Sequence, residues 1–536
     1  MNTVRPVDAD RQVLGAGDWF ASDGPALIGS QCSRCHAQSF PPSRFCWRCG
    51  SQTASVRLPA SGRLLAKSTV RVAPQGFPAM YDVGIVELSP ELRILARFDE
   101  HAPAHGDPVT VTLGHLRDDD VGKPVFGPVF TAGGTPHRCS TTTQTAVDLD
   151  VTPRDRRAEP LGVAVAGVAT TPFGRPDLPA EELAAQAALA AVADAGLQPT
   201  EIDAVVVGSA FSTAALGQRM ARHVPWGGSR LLNVENACAS GTTALAEAAA
   251  LVRAGMANAV VAVGADTPAR SGGGLIGLDL SSPVAGVGMT LPALYALVAD
   301  LHRSRHGTSV EALAEVVVRS RAAGRRNPDA YRREPVTRTD VLSSRTIADP
   351  LTLLQCTPNA DGAAAVVLVA DHLRRRITNP RIELAALTLG SGMPKDRFSE
   401  DGIVRRTAQA SFAQARIDPR DVNVVELHDA FAPAALVYLE ELGLAEPGTA
   451  AQRLLTGGFT GAGDAALNVG GGLLSRGHPP GATGLAQVTE LVRQLRGQAG
   501  DRQVPNAEIA LVHTMGGTIL ELEANACTVG ILKRVT

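Results

Sequence analysis

The run AGLQPTEIDAVVVGSAF at 195–211 and the run ARIDPRDVNVVELHDAF at 415–431 decide the architecture. Each joins the end of a helix, through a turn containing proline, to a short apolar strand. With a shift of 220, Ala195, Leu197, Pro199, Ile202, Val205 and Phe211 fall on Ala415, Ile417, Pro419, Val422, Val425 and Phe431. A second correspondence lies downstream. With a shift of 240, Leu245, Ala246, Leu251, Val252 and Arg253 fall on identical residues at 485, 486, 491, 492 and 493. Two units repeated in the same order point to a duplicated α/β chain, with halves at 161–371 and 372–536. Around the first run, Leu161–Ala169 and Ala259–Gly264 read as apolar strands, and Pro179–Gly196 as an Ala-rich helix with Glu181 and Glu182 in its first turn. Continuous apolar strands between helices predict a mostly parallel sheet covered on both faces. The first half carries an insertion at about 266–345, rich in Gly, Arg and Ser.

Composition agrees with layered α/β structure. The 536 residues suggest three or so domains, and 54 glycines with only 4 % aromatics let layers approach closely. With 45 % apolar and 19 % charged residues, disorder is excluded for the bulk of the chain. Fifty Lys and Arg against 53 Asp and Glu leave a net charge of −3 and no electrostatic case for nucleic acid. No apolar run reaches the roughly eighteen residues of a membrane span. Met1–Asp10 lacks the basic and apolar regions of a secretory signal. The expected location is the cytoplasm, with reduced cysteines.

Four of the eight cysteines cluster near the start. Cys32-Ser33-Arg34-Cys35 and Cys46-Trp47-Arg48-Cys49 are two C-x-x-C knuckles ten residues apart. Four thiolates can close around one tetrahedral zinc, leaving no open position, so the expected metal is structural. The N-terminal segment and ribbon span 1–54. Residues 55–131 contain short strand-like runs at Gly62–Val70, Tyr81–Leu88, Ile94–Phe98 and Val109–Leu113, separated by turns, which suits a small OB-type barrel. Asp118-Asp119-Asp120 and scarce aromatics argue against a strand-binding OB groove. Residues 132–160, which include Cys139, read as a linker.

Under the internal alignment Cys238 falls on His478, and both sit just before a helix. A cysteine there meets the positive end of the helix dipole, which favours thiolate, and a nearby His completes a Cys–His pair. His428 lies past the end of an apolar strand, where open α/β sheets bind ligands. His513 follows the strand-like Ile509–Val512 and precedes Gly516-Gly517. The three histidines lack local ligand spacing for a second zinc. Cys356 and Cys527 sit in apolar surroundings and read as packing. Gly470-Gly471-Gly472 is no phosphate-loop fingerprint.

These residues carry a resemblance. Asn236-Ala237-Cys238-Ala239-Ser240-Gly241, Gly477-His478-Pro479 and the duplicated halves resemble the thiolase superfamily over about 161–536. His428-Asp429-Ala430-Phe431 resembles its sterol-carrier-protein-x, or lipid-transfer, branch. Residues 1–131 resemble the zinc-ribbon and OB-fold accessory proteins that accompany such thiolases, here fused. The resemblance implies an α/β/α/β/α fold, a homodimer and an acyl-CoA substrate. It implies Cys238 as acyl acceptor, His478 as its activator and His428 as part of an oxyanion site. It places coenzyme A near Gly481, Gly516 and Gly517. One departure is the missing second cysteine of a C-terminal Cys-x-Gly motif; His513 stands before the glycine pair instead. The reaction implied is acyl transfer to CoA or to a carbon nucleophile. A retro-aldolase acting on a CoA-thioester side chain and a non-catalytic acyl-CoA or lipid carrier are the alternatives.

Overall fold

The computed structural model describes residues 12–14, 19–21, 25–134, 159–211, 214–272, 274, 283–393, 402–517 and 524–535. Most of the 132–160 linker, with Cys139, lies outside them. In the first half, β1 (Val163–Thr170), β2 (Ala204–Gly208), β3 (Arg230–Val234), β4 (Ala259–Asp266) and β5 (Gly362–Val369) lie in the order β3-β2-β4-β5-β1. In the second, β6 (Ile382–Ser391), β7 (Val424–Glu426), β8 (Ala466–Leu467), β9 (Ile509–Gly516) and β10 (Ala526–Arg534) lie in the order β8-β7-β9-β10-β6. Order and directions repeat. β2 runs parallel to β3 and β4, and β7 to β8 and β9, while β5 and β10 run antiparallel to both their neighbours. The half-sheets join where β1 pairs with β6, Val163 opposite Leu384.

The sheet is therefore mixed and not mostly parallel. Strands buried on both faces are apolar throughout whichever way they run, so composition could not give direction. Chain length does: nine residues separate β9 from β10, too few for the crossover that a parallel pair needs.

Helix α1 (Ala180–Asp194) covers the outer face of the first half-sheet, and α3 (Ile403–Ala415) that of the second. Between the half-sheets lie α2 (Ser240–Arg253) and α4 (Pro480–Arg496), side by side. These are the five layers α/β/α/β/α. Almost every residue of α4 is buried, so its charged groups need partners. Arg496 reaches Asp194 at 2.7 Å, and Glu490 meets Arg502 at 3.0 Å. Backbone touches backbone where α4 begins: a Cβ on Gly264 of β4 would stand 1.9 Å from the Gly481 carbonyl oxygen.

The insertion is largely helical. Leu291–His306 and Val310–Arg325 are 16-residue helices, each capped by a hydroxyl, Thr290 accepting from Ala293 N–H and Ser309 from Ala312 N–H. The N-terminal module has a three-stranded ribbon, Ile28–Cys32, Gln38–Ser39 and Thr53–Arg57. Five strands follow: Ser61–Val70, Tyr81–Ser89, Leu92–Arg97, Pro108–Asp118 and Pro124–Ala132. The first pairs with the second and fourth, the second with the third, and the fourth with the fifth. A parallel bridge from Phe98 to Phe130 closes them into an OB-like barrel.

The barrel is not a bead on a string. Ala66, Tyr81, Val83 and Ile85 share one core with Tyr295 and Leu297 of the insertion and Leu436 and Tyr438 of the second half. The body's Thr346–Ala348 extends the barrel sheet, Ala348 opposite Val70. No helix among the described residues is long and apolar enough to cross a membrane.

Candidate active site

Cys238 lies on a tight turn between β3 and α2. Ala237 before it takes φ +47°, a left-handed conformation that strains any residue with a Cβ. Ser240 holds that turn, its hydroxyl donating to the Ala237 carbonyl at 2.6 Å. The turn sits on the end of β9. A Cβ at Gly516 would lie 2.2 Å from the Asn236 carbonyl oxygen, and Gly517 N–H bonds to the Cys238 sulfur.

His478 precedes α4. Its Nδ1 is 2.7 Å from Thr483 Oγ1, and that hydroxyl donates to the Pro479 carbonyl at 2.9 Å. The single hydroxyl proton is thus committed, so Thr483 accepts from an Nδ1–H. Nε2 of the neutral ring is left as the acceptor. His428 stands two residues beyond β7, its ring centroid 5.0 Å from that of His478 at 82°. The Cys238 sulfur and one ring nitrogen from each of His428 and His478 lie within 4.8 Å of one another.

Burial sets the charges. It pushes the Cys238 thiol up to about 12, with the negative charges of Asp266 and Glu235 adding to the effect. The Gly517 N–H and the residue's own N–H oppose it and lose. The expected thiolate at a helix start is therefore not the resting form: desolvation outweighs the dipole. Burial also holds His428 down to about 3 and His478 well below the ordinary histidine value. The cluster rests as a neutral thiol beside two neutral imidazoles, one of them free to take its proton.

His513 is placed differently from the expectation. It lies inside β9, opposite Val529, and not past the strand's end. Its Nδ1 accepts the His428 backbone N–H at 3.5 Å, and its ring packs edge-on to Tyr438, centroids 4.7 Å apart. It supports His428 from behind and is outside the three-residue cluster. Gly481 and Gly516, expected to contact coenzyme A, are packing glycines. Gly481 donates its N–H to Asp266 at 2.6 Å, and a Cβ there would meet the Gly208 carbonyl oxygen at 2.7 Å. Neither position has room for a side chain. Gly517 instead serves the cysteine sulfur.

Two contributors escaped the sequence reading. Thr483 stands five residues after His478, a spacing that the bend entering α4 brings into contact. Asp266 accepts from Ser209 Oγ and from the N–H groups of Ala210, Phe211 and Gly481, tying the ends of β2 and β4 to α4. Nothing in its local sequence separates it from a surface carboxylate.

In the ribbon, Cys32 and Cys49 sulfurs are 3.5 Å apart, Cys35 and Cys46 sulfurs 3.4 Å, and all four lie within 4.8 Å. Arg34 and Cys35 N–H point at the Cys32 sulfur, and Arg48 N–H at that of Cys46. Cys527 is buried in the core, and Cys356 rests 3.5 Å from the Thr352 carbonyl oxygen.

Residues 163–372 match the thiolase N-terminal domain, and 396–528 a thiolase C-terminal domain-like region. An acetyl-CoA acetyltransferase of Methanothermobacter thermautotrophicus is 36 % identical over 379 residues, covering 66 % of this chain and 96 % of the relative. The chain belongs to the thiolase family. It is an acyltransferase of the CoA-dependent, thiolase type. Sterol carrier protein 2 of Homo sapiens is 33 % identical, covering 66 % of this chain and 70 % of its own length. A solved structure titled Ltp2-ChsH2(DUF35) aldolase superposes with TM-score 0.61 at 27 % identity, covering 70 % of this chain and 98 % of that one. The matched segments are the two half-sheets; ribbon and barrel precede them.

Proposed function

We propose that this thiolase works by ping-pong acyl transfer through an acyl-Cys238 intermediate. The observation that carries the reading is the cluster of half-buried Cys238 with buried His428 and His478, its sulfur and nitrogens within 4.8 Å. Cys238 sulfur attacks the thioester carbonyl of an acyl-CoA as its proton passes to His478 Nε2. The imidazolium returns that proton to the departing CoA thiolate. His428, neutral, donates an N–H to the carbonyl oxygen as negative charge builds there, a contribution of about 3–4 kcal/mol for such a donor. The acyl group then passes to CoA or to a carbon nucleophile, and His478 is the base that the cluster offers for that step also. His513 acts through the His428 backbone and not on substrate.

The N-terminal cysteines hold one structural zinc: four sulfurs within 4.8 Å of one another, with amide donors turned towards two of them, fit that ion. The His428-Asp429-Ala430-Phe431 motif and the likeness to sterol carrier protein 2 support the lipid-transfer branch. β3 is an edge strand with Leu232 exposed, which supports pairing of two copies there. The enzyme is read as cytoplasmic.

Incubation with acetyl-CoA, followed by peptide mass spectrometry, tests the proposal. An acetyl group on Cys238, absent in Cys238→Ala together with CoA exchange, is expected. The likeness to the aldolase structure favours a second reading, retro-aldol cleavage of a CoA-thioester side chain. Activity that survives in Cys238→Ala would favour it.

A further inference from the structure

The mechanism uses His428, whose neighbours are tied by backbone contacts, Leu427 N–H donating to Asn468 Oδ1 at 2.8 Å and Leu473 N–H to Asp429 Oδ1 at 2.7 Å, while the His428 ring itself is less constrained. Its Nδ1 has no hydrogen-bond partner among the described residues, and its backbone N–H reaches His513 only at 3.5 Å. A further brace comes from the insertion. Tyr295, on the helix Leu291–His306, stacks on Phe431 with centroids 4.6 Å apart and 25° between planes. Phe431 closes the His428 motif and precedes the helix Ala432–Glu441. The Tyr295 hydroxyl also meets that of Tyr438 at 2.9 Å, in the interior. Tyr438 is the ring that backs His513. Tyr295 thus braces His428 from two sides, through Phe431 and through Tyr438 and His513.

Tyr295's helix is in turn gripped by the barrel. Tyr81 donates its hydroxyl to the Gly288 carbonyl at 2.6 Å, just before the helix begins. Gly288 has φ +91°, and a Cβ there would stand 2.8 Å from the Tyr81 hydroxyl oxygen and 2.9 Å from Phe77, so the backbone is pressed against the barrel. Farther along, Asp300 is 1 % exposed and accepts from the Lys67 N–H at 2.9 Å and from His105 Nε2 at 2.5 Å. Arg303 of the same helix closes on it at 2.6 Å.

We propose that Tyr295 is a positioning residue for His428 and that the barrel acts as the clamp on Tyr295's helix. The inference rests on the reading of His428 as the donor to the thioester oxygen. It gives the fused N-terminal module a part in catalysis without any contact with substrate. A donor moved by an ångström loses much of its value in the transition state while substrate binding elsewhere is unchanged. The effect should therefore fall on kcat and spare KM.

The test uses the full-length chain and exchange of labelled CoA into acetyl-CoA, which needs no second substrate. Tyr295→Ala should lower kcat by about ten- to a hundredfold, with KM for acetyl-CoA within about twofold and thermal unfolding still cooperative. Tyr295→Phe keeps the stacked ring and should restore most of the rate. Tyr81→Phe with His105→Ala, on the barrel, should lower kcat by about three- to tenfold. That loss should nearly vanish in the Tyr295→Ala background, because both act through one element. A kcat unchanged in Tyr295→Ala while His428→Ala is impaired would overturn the clamp alone, as would additive losses from barrel and Tyr295 variants. A kcat unchanged in His428→Ala would overturn the reading of His428 and the clamp with it.

Discussion

Thr483→Val is the sharpest probe of the site. Valine keeps the shape of threonine in a position with no exposed surface and removes only the hydroxyl. His478 Nδ1 then loses its partner at 2.7 Å. Two outcomes are open to the ring. It can keep the proton on Nδ1, buried and unpaired, at about 1–3 kcal/mol. Or it can move the proton to Nε2, which then cannot receive the Cys238 proton. In the first case the imidazolium that forms as His478 takes the proton loses a charge-assisted bond worth more than the one the neutral resting ring loses, and in the second the productive tautomer lies above the resting one, so the barrier rises by about 1–3 kcal/mol either way. At 1.4 kcal/mol per factor of ten, the acylation rate falls by about five- to 150-fold. The assay is single-turnover acetylation of the enzyme by acetyl-CoA, with the acetyl group located on Cys238. Thr483→Ser returns the hydroxyl and should recover most of the rate. Ring-nitrogen NMR of labelled histidine reports the tautomer directly. Acylation within twofold of the parent in Thr483→Val, with the Nδ1–H form retained, would refute the assignment of His478 Nε2 as proton acceptor.

Other expectations follow from the same groups. With the Cys238 thiol pushed up to about 12 from 9.0, the free enzyme holds about a thousandfold less thiolate at pH 7 than an ordinary cysteine. Alkylation of Cys238 by iodoacetamide without substrate should be slow and still rising above pH 10; a plateau near pH 7 would show a resting thiolate instead. Acid stability carries a sign that can be checked. His428, His478 and His513 are held neutral, so each contributes stability above the unfolded value of 6.5 that is lost as pH falls towards the folded one. Glu426 and Asp429, raised by burial to about 7 from 4.5 and 3.8, act oppositely: their contribution is full below those unfolded values and is lost as pH rises through 7. Between pH 6.5 and 5.5 they offset much of the histidine loss, so Glu426→Gln should steepen the fall by up to about 1.4 kcal/mol per pH unit in urea unfolding, and equal slopes would contradict the assignment. Gly264→Ala puts a Cβ 1.9 Å from the Gly481 oxygen, backbone against backbone. A loss of about 3 kcal/mol or failure to fold is expected, whereas an unchanged Tm would show that α4 can shift. Plasma emission should find one zinc per chain, and Cys46→Ser should lose it and unfold the ribbon, with acetylation of Cys238 retained in part; metal content unaffected by the substitution would place zinc elsewhere.

Much of this protein is written in its local sequence. The 220 and 240 shifts carry the duplication, because each half needs the same apolar strands and helices in the same order to bury a half-sheet. The ribbon cysteines announce themselves, since metal ligands held on two tight knuckles must be close in sequence. Cys238, His428 and His478 were legible because each stands at a strand end or a helix start, where motifs are short and continuous.

What was not legible depends on contacts between distant residues. Strand direction in β5 and β10 is invisible to composition, since burial on two faces makes parallel and antiparallel strands equally apolar. The helix-start argument for Cys238 saw the dipole but not the burial, which takes the thiol the other way. Gly481 and Gly516 stand beside the motifs, and the backbone packing that excludes a side chain at each is visible only in the fold. Thr483, Asp266 and Tyr295 look ordinary in the chain. Their roles arise only when α4, the end of β4 and the insertion converge on one buried volume. Local sequence therefore determined the repeated halves, the ribbon and the cysteine–histidine motifs, which rest on near-neighbour periodicity and spacing. Tertiary structure alone decided protonation, tautomer and support, because desolvation and hydrogen-bond partners exist only once distant segments have excluded water together.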